Sequence, residues 1–445
     1  MSIKQFLKSD FIKNAGLLFS SSGIAQLLAL IVVPFLTRIY RDQSDHGHMA
    51  SFLSLVAIGV AVSTLKYEQA IMIEEDRSRA KSLVKLSMWI NLAWFILFGL
   101  LLLLCQRWLL PLLDLTVFEN WLYLIPITIF LTGVVEIMTV WWNRERKYKR
   151  LSGNRLATAV TSSGYKLTHG LLSFTRTNGL ILGHTIGQLM SVVLYLPKSL
   201  FKQLTTNWTE VRELIKTYQN FPKWAMPSTL INVIGTNLPV LIITPLLTAE
   251  MTGYFSNALK LTYIPLGAVS YAIGQVFYER LARLKSEPER LVLTNNIVRF
   301  LFLLALLPVV VMVVWGDLIT PFILGSDWAI SGQMTQIVVL FYFVMYLSSP
   351  FAAAFEVYDK LSYQFWFTAA FTLATSLALY LTLRLTGNVF HGLIAFSFTG
   401  IIVRLAMMVS CFRLIGSNVI GKLLTGLVIA AASIALATFI RYSLS

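Results

Sequence analysis

Long apolar segments are the feature of this sequence that most constrains its fold. Residues 89–105, 300–315 and 423–440 reach or approach the ~20 apolar residues that a helix needs to cross the hydrocarbon core of a bilayer. The chain of 445 residues is 56% hydrophobic and only 13% charged, which is too little charge for a soluble surface. Backbone groups in lipid must hydrogen-bond within their own segment, and the sustained alternation of a β-barrel is absent. The sequence therefore predicts an all-α, polytopic integral membrane protein.

Thirteen apolar segments are predicted as transmembrane helices, within a range of 12 to 14. They are residues 14–40, 47–73, 83–106, 119–142, 152–173, 178–199, 223–246, 252–278, 293–316, 331–356, 361–384, 389–412 and 420–440.

We expect these helices to form two six-helix lobes around a central cavity, followed by an extra C-terminal helix. The predicted divisions are an N-terminal lobe at 1–200, a cytoplasmic linker at 201–222, a C-terminal lobe at 223–413 and the additional helix at 414–445.

The distribution of basic residues tests this topology. With the N-terminus in the cytoplasm, 25 of the 36 Lys and Arg residues fall in inner loops and six in outer loops. That asymmetry is typical of multi-pass membrane proteins. It also accounts for the net charge of +15 without nucleic-acid binding, so no nucleic-acid partner is predicted. The five remaining basic residues lie inside the predicted helices: Lys66, Lys166, Lys260, Arg299 and Arg404.

The two cysteines, Cys105 and Cys411, lie in or beside apolar segments and show no metal-binding spacing. No disulfide framework, metal site or cofactor is predicted. A nucleotide-binding GxxxxGK[ST] loop is also absent, so we expect a transporter that does not itself hydrolyse ATP, and not an enzyme.

The predicted linker contains an amphipathic pattern. Leu204, Trp208, Val211 and the pair Leu214 and Ile215 recur at helical spacing between charged residues. This pattern predicts a helix that lies on the inner membrane surface.

The two halves of the chain show a weak internal repeat. Pro34 precedes Gly47 in the first half, and Pro239 precedes Gly253 in the second, with the two glycines 206 positions apart. Repeated halves that face a central site are a common transporter design, in which alternating access comes from rocking one half against the other.

Three stretches together resemble one known family. They are VVPFLTRIY at 32–40, LKYEQAIMI at 65–73, and the region 237–284, which contains NLPVLIITPLL, GYFSNALKLTYIPLG and GQVFYERLARL. The chain resembles the Wzx-type polysaccharide flippases of the multidrug/oligosaccharidyl-lipid/polysaccharide exporter superfamily. A thirteenth helix departs from the common twelve-helix pattern of that family.

The resemblance implies a flippase of the bacterial inner membrane. Such a protein moves undecaprenyl-pyrophosphate-linked oligosaccharide repeat units from the cytoplasmic to the outer leaflet, for O-antigen in lipopolysaccharide, capsule or a related glycan. It implies coupling to H+ or Na+, contact with membrane lipids, and polysaccharide polymerase and chain-length proteins as partners.

A diphosphate substrate makes the basic residues inside the helices candidates for binding, because ionisable groups there are costly. Lys260 is the first candidate, since its ammonium can pair with a phosphate oxygen, although it could instead be the partner of a buried carboxylate. Arg38 stands at the outer end of the first helix and could guide pyrophosphate outward or extend to the headgroups. Lys66, Lys166 and Arg404 complete the predicted pyrophosphate-binding set.

Ion coupling or gating is assigned to Glu136, Glu68 and His169. Glu136 is a candidate for reversible protonation, or it could be bonded to a neighbour such as Lys166. Lys166 and His169 are three apart and share one helix face, whereas Lys66 and Glu68 are two apart and are predicted not to pair.

Two alternatives remain at this point. A multidrug cation exporter of the same superfamily would need buried carboxylates and aromatics, whereas the in-membrane charges here are mainly basic and favour an anion. A membrane polysaccharide polymerase would be expected to carry a large outer loop, which this chain lacks.

Overall fold

The computed structural model describes residues 28–112, 122–172, 176–196, 208–284, 286–416 and 420–444. Within these ranges the regular secondary structure is helical and no strand is present. The predicted all-α class is therefore confirmed. Residues 14–27 of the first predicted helix and Leu204 of the predicted linker lie outside the described residues.

Contacts between residues divide the chain into two units, with the division between Gly253 and Tyr254. The helices of the first unit are α1 (Leu28–Ile39), α2 (Gln43–Ser63), α3 (Tyr67–Ile73), α4 (Arg77–Leu112), α5 (Leu124–Arg144), α6 (Tyr148–Leu171), α7 (Arg176–Tyr195), α8 (Trp208–Thr217) and α9 (Met226–Leu246), and α10 (Ala249–Arg283) begins there. A π-helical turn at Phe221–Ala225 precedes α9.

The second unit contains the rest of α10. Its other helices are α11 (Glu287–Leu324), α12 (Ala329–Ser348), α13 (Ala353–Val357), α14 (Leu361–Thr386), α15 (Val389–Ile415) and α16 (Ile420–Leu444). The predicted lobes at 1–200 and 223–413 follow the repeat in the sequence and stay a prediction. The units defined by contacts place α9 with the first unit.

Eight helices in the described part of the chain are long and apolar enough to cross a membrane. The protein is therefore a multi-pass membrane protein. Helices α6 and α10, with 24 and 35 residues, are also long enough, but they are too polar to belong to the eight. These two polar helices carry Lys166, His169 and Lys260.

Local chemistry sets several helix ends. Asp42 precedes α2 and accepts a hydrogen bond from the Ser44 amide at 2.9 Å. Asn388 caps α15 in the same way through the Phe390 amide at 2.8 Å. Gly387, with φ of 60°, ends α14 in the left-handed conformation that glycine adopts at low cost.

The predicted helix at 47–73 is wrong in one respect, because it is broken. Helix α2 ends at Ser63, and Leu65 and Lys66 take left-handed conformations with φ of 49° and 62° before α3 begins at Tyr67. Left-handed backbone is unfavourable for residues with a side chain, so the surrounding packing must hold this break. The break turns the Lys66 side chain away from the position that a continuous helix would give it.

The amphipathic helix predicted in the linker is present as α8, but its environment differs. Val211 and Leu214 are buried in a core of the first unit that includes Tyr67 and Leu83, while Ile215 remains 41% exposed. The apolar residues at 211 and 214 are therefore covered by protein, and the interpretation of a helix resting on lipid is wrong for them. An amphipathic pattern indicates that one face of a helix is covered, but it does not distinguish lipid from protein as the covering.

The additional C-terminal helix α16 packs along α11. A Cβ added at Gly426 would contact the Phe302 ring at 3.2 Å, and further along the two helices Arg441 forms a bidentate ion pair with Asp317. The 25 residues of α16 extend over about 37 Å, enough to cross a hydrocarbon core of about 30 Å.

Candidate functional site

A cluster of three charged side chains lies in the first unit. The Lys66 ammonium is 3.4 Å from a Glu68 carboxylate oxygen and 3.7 Å from a Glu136 carboxylate oxygen. We call Lys66, Glu68 and Glu136 the charged triad. The prediction that Lys66 and Glu68 would not pair is wrong, because Lys66 lies outside α3 with φ of 62° and the rule for continuous helices does not hold there.

The charged triad combines two carboxylates with one ammonium. The side chains of Lys66 and Glu68 are only 10% and 4% exposed, whereas that of Glu136 is 40% exposed. Oε2 of Glu68 is buried and has no hydrogen-bond partner among the described residues. Buried charges are stable only when they are compensated, so the net charge of −1 that full ionisation gives can be neutralised by a proton or a monovalent cation.

The alternative that Lys166 neutralises Glu136 is not what the structure shows, since Glu136 pairs with Lys66. Lys166 and His169 lie together on α6, as predicted, and pack against glycines of α7. A Cβ at Gly183 would meet the Lys166 side chain, and one at Gly179 would meet the His169 ring. The two glycines therefore make room for the Lys166 and His169 side chains between α6 and α7.

Arg38 lies near the end of α1, where its guanidinium donates to the carbonyl oxygen of Pro34 at 2.9 Å. The side chain is exposed and held against its own helix. Its predicted role in guiding pyrophosphate stays a prediction.

In the second unit, Lys260 lies eleven residues after the start of α10 at Ala249. Its ammonium donates to the side-chain oxygen of Asn257 at 2.8 Å, and the side chain is half-buried. Asn257 is a neutral acceptor that orients the ammonium without removing its charge. Sequence reasoning missed Asn257, although its position three residues before Lys260 on a helix was a usable signal.

Arg404 lies in the middle of α15, and its guanidinium carbon is 4.6 Å from the centre of the Phe371 ring on α14. The Nε atom of Arg404 is buried and has no hydrogen-bond partner in the described part of the chain. A buried guanidinium donor left unpaired is costly, so an anionic ligand would gain from pairing with it.

An aromatic cluster connects the helix of Arg404 with α10. Phe371 stacks on Phe341 at 5.9 Å between ring centres, Phe341 contacts Tyr342 at 4.8 Å, and Tyr342 contacts Tyr263 of α10 at 5.3 Å. The cluster therefore packs α10, α12, α14 and α15 together around Arg404. The sequence, rich in aromatics throughout, does not single out these four rings.

Among the residues that the structure describes, no group of three or more His, Cys, Asp or Glu side chains is placed to hold a metal ion. The candidate site residues are the charged triad, the Lys166 and His169 pair, and the cations Arg38, Lys260 and Arg404.

Comparisons with known proteins agree with this architecture. A family model described as polysaccharide biosynthesis protein matches residues 35–333. A comparison with curated protein sequences gave no match.

Solved transporter structures share the fold. The chain is similar to the lipid II flippase MurJ in an inward closed conformation, with a TM-score of 0.70, 13% identity, and coverage of 96% of this chain and 98% of that one. A multidrug resistance MATE family transporter of the MOP superfamily, in an inward-facing conformation, gives a TM-score of 0.69 at 11% identity, with 88% and 94% covered. The Vibrio cholerae MATE transporter VcmN in its bent form gives 0.55 at 14% identity, with 91% and 98% covered. Family and fold both support the resemblance to Wzx-type flippases.

Proposed function

Because the chain belongs to the polysaccharide biosynthesis protein family, we propose that it is a flippase for a lipid-linked oligosaccharide. It moves undecaprenyl-pyrophosphate-linked repeat units from the cytoplasmic to the outer leaflet of the bacterial inner membrane. The product serves O-antigen, capsule or a related surface polysaccharide. The N-terminus is in the cytoplasm, and a polymerase and chain-length proteins act on the flipped unit.

The observation that carries this proposal is the pair of cations deep in helices of the second unit. Lys260 is eleven residues from the start of α10, and Arg404 is eleven residues from the end of α15 at Ile415. That separation is about 16 Å along a helix, so neither cation lies at a helix end near the headgroups. Ionisable groups inside membrane helices are costly and usually serve a function, and a diphosphate is a ligand with which both cations can pair.

The charged triad supports a different role in the same cycle. Since two carboxylates already compensate Lys66, we assign Lys66, Glu68 and Glu136 to ion coupling, and Lys260 and Arg404 to the pyrophosphate. Glu136 has the most exposed side chain of the triad and is the member that exchanges H+ or Na+ with solvent. Loading it with a proton releases Lys66 from one of its two partners, which changes the electrostatic balance at the break between α2 and α3.

Arg38, Lys166 and His169 take secondary roles in this proposal. Lys166 and Arg38 are further basic groups, in the first unit, that the substrate meets, and His169 lies three residues after Lys166 on α6. Alternating access moves the diphosphate past these residues while the polyprenyl tail stays in lipid.

A multidrug cation exporter is the second candidate, and one observation favours it. The charged triad carries one more carboxylate than ammonium, which suits a cationic substrate, and the fold is shared with a MATE transporter. The similarity to transporters gives no support to a membrane polymerase.

Deletion in the native host tests the proposal. The deletion strain should accumulate lipid-linked repeat units on the inner leaflet and lose surface polysaccharide, with its sensitivity to cationic drugs unchanged. Complementation with the wild-type gene should restore the polysaccharide, whereas Lys260→Glu should reach the membrane at wild-type levels without restoring it. Unchanged polysaccharide together with increased drug sensitivity would favour the multidrug exporter.

A further inference from the structure

One face of α10 carries exposed tyrosines in line with Lys260. Tyr263, Tyr271 and Tyr278 are 37%, 71% and 43% exposed, and Gln275 between the last two is exposed as well. Tyr271 and Tyr278 are seven residues apart, which places them on the same side of the helix about 10.5 Å apart along its axis. Lys260 and Tyr278 differ by five full turns, so the lysine shares that side.

The chemistry of this face differs from that of the exposed faces of α4 and α11. On α4 and α11 the exposed residues in the corresponding central region are aliphatic. They include Ile96, Leu97, Leu100 and Leu104 on α4, and Leu303, Leu304 and Leu307 on α11. A membrane-helix face that carries an ammonium, an amide and three phenol hydroxyls is unfavourable against lipid tails. The low apolarity of α10, which keeps it out of the eight apolar spans, agrees with a polar neighbour.

We propose that this face of α10, formed by Lys260, Tyr263, Tyr271, Gln275 and Tyr278, is the binding track for the glycan of the lipid-linked substrate. The inference rests on the proposed function and deepens it, because it assigns residues to the sugar. The Lys260 ammonium binds the diphosphate, the tyrosine rings stack on the C–H faces of sugar rings spaced along the glycan, and Gln275 hydrogen-bonds sugar hydroxyls.

Tyrosine suits a track along which a glycan must slide. A phenol ring offers a flat apolar surface with a polar tip, so it can contact sugars without a fixed register. The contact requires no particular hydroxyl pattern, as with the base-stacking aromatics that bind single-stranded nucleic acids without regard to sequence. Charge complementarity fixes which end of the substrate lies where, since Lys260 stands at one end of the row.

The test uses purified full-length protein in proteoliposomes with two probes. One probe is the lipid-linked repeat unit that accumulates in the deletion strain, and the other is undecaprenyl diphosphate carrying a single N-acetylglucosamine. The variants are Tyr271→Leu and Tyr278→Leu, which keep an apolar side chain but remove the ring. Tyr271→Phe restores the ring, and Tyr442→Leu is the matched control at a tyrosine that is 76% exposed on α16.

Tyr271→Leu and Tyr278→Leu should each slow flipping of the full repeat unit by about threefold to tenfold and leave the one-sugar probe nearly unchanged. Tyr271→Phe, which keeps the ring, should flip the full repeat unit faster than Tyr271→Leu, Tyr442→Leu should match the wild type, and Lys260→Gln should slow both probes. Tyrosine variants that match the wild type, or that slow both probes equally, overturn the glycan track. A wild-type protein that moves neither probe overturns the proposed function instead.

Photo-crosslinking tests the track directly, and it also applies if the wild-type protein moves only the full repeat unit and not the one-sugar probe. Benzoylphenylalanine replaces Tyr271 in one protein and Tyr442 in another, and the repeat unit is radiolabelled in its sugars or in its polyprenyl chain. We expect crosslinks from position 271 to the sugars and none from position 442. Crosslinks from position 271 to the polyprenyl chain alone would show that lipid covers this face and would refute the track.

Discussion

Gly47 of α2 and Gly253 of α10 lie backbone to backbone. A Cβ added at Gly47 would overlap the carbonyl oxygen of Ala249 and reach the Gly253 amide nitrogen at 3.0 Å. A Cβ added at Gly253 would overlap the carbonyl oxygen of Gln43 and reach the Gly47 amide nitrogen at 3.2 Å. The contact is reciprocal, and its two members are the glycines that the sequence repeat places 206 positions apart.

This contact predicts strong effects of the smallest possible substitution. Gly47→Ala and Gly253→Ala should each destabilise the protein by about 1–3 kcal/mol, because a rigid backbone cannot yield as a side chain can. Thermal unfolding in detergent measures the effect. Gly164→Ala on α6 is the control, since nothing lies within 4 Å of the added Cβ, and it should be neutral or stabilising. Equal melting temperatures for all three variants would contradict the backbone contact.

Removing Lys66, the cation of the charged triad, should destabilise the protein more than removing all three charges of the triad. Lys66→Met leaves two uncompensated carboxylates and should cost about 3–5 kcal/mol, as for other buried ion pairs that lose one partner. The triple variant Lys66→Met with Glu68→Gln and Glu136→Gln should recover most of that loss. Thermal unfolding of both variants is compared with Lys81→Met at an exposed site. The prediction fails if the triple variant is the less stable of the two.

Ion coupling through Glu136 predicts a selective loss. Glu136→Gln cannot change its charge, so flipping in proteoliposomes should become independent of an imposed H+ or Na+ gradient while a slower, gradient-independent rate remains. Glu145→Gln is the control, since Glu145 pairs with Arg77 at 2.8 Å outside the triad. Retained stimulation by both gradients in Glu136→Gln would remove this residue from the coupling mechanism.

Glu74, in the loop between α3 and α4, predicts a dependence of stability on acid pH. Partial burial raises the pKa of this carboxyl. Hydrogen bonds from the Asp76 amide, the Tyr218 hydroxyl and Arg79, together with the charge of Arg79, outweigh the burial, so the pKa lies below the ordinary 4.5. A depressed folded pKa stabilises the protein fully above the ordinary carboxyl pKa, and the stabilisation is lost as the pH falls through the lowered value. Glu74→Gln should therefore weaken the fall in melting temperature between about pH 5 and pH 3. Glu75→Gln at the exposed neighbour is the control, and an unchanged slope in Glu74→Gln would argue against the network.

The ion pair between Arg441 and Asp317 should hold the C-terminal end of α16 against α11. Its two contacts, at 2.9 and 2.7 Å, are bidentate, and Gln336 also donates to Asp317 at 3.1 Å. Arg441→Gln should release the end of α16 and increase its cleavage by added protease, with a smaller effect of Arg384→Gln on α14. The swapped pair Arg441→Asp with Asp317→Arg should restore part of the protection. Equal cleavage of wild type and Arg441→Gln would show that apolar packing alone holds the helix.

The linker and the broken helix show why some structure could not be predicted. The pattern of Val211 and Leu214 predicted a helix correctly, but the partner of that helix was misassigned, since periodicity does not distinguish lipid from protein. Lys66 and Glu68 were expected to point apart because a continuous helix separates residues two positions apart. The left-handed residues at 65 and 66 depend on packing from other parts of the chain, which a local pattern cannot reveal.

The sequence alone determined that this is an all-helical membrane protein, since backbone groups in lipid leave long apolar segments no other regular structure. It also located the cations in membrane helices and the repeated glycines, because composition and spacing are local properties. Only the tertiary structure decided which charges meet, that Glu136 pairs with Lys66 and not Lys166, and that the tyrosines on the Lys260 side of α10 are exposed. Those relationships depend on how helices distant in the chain pack, and burial and side-chain direction follow from that packing.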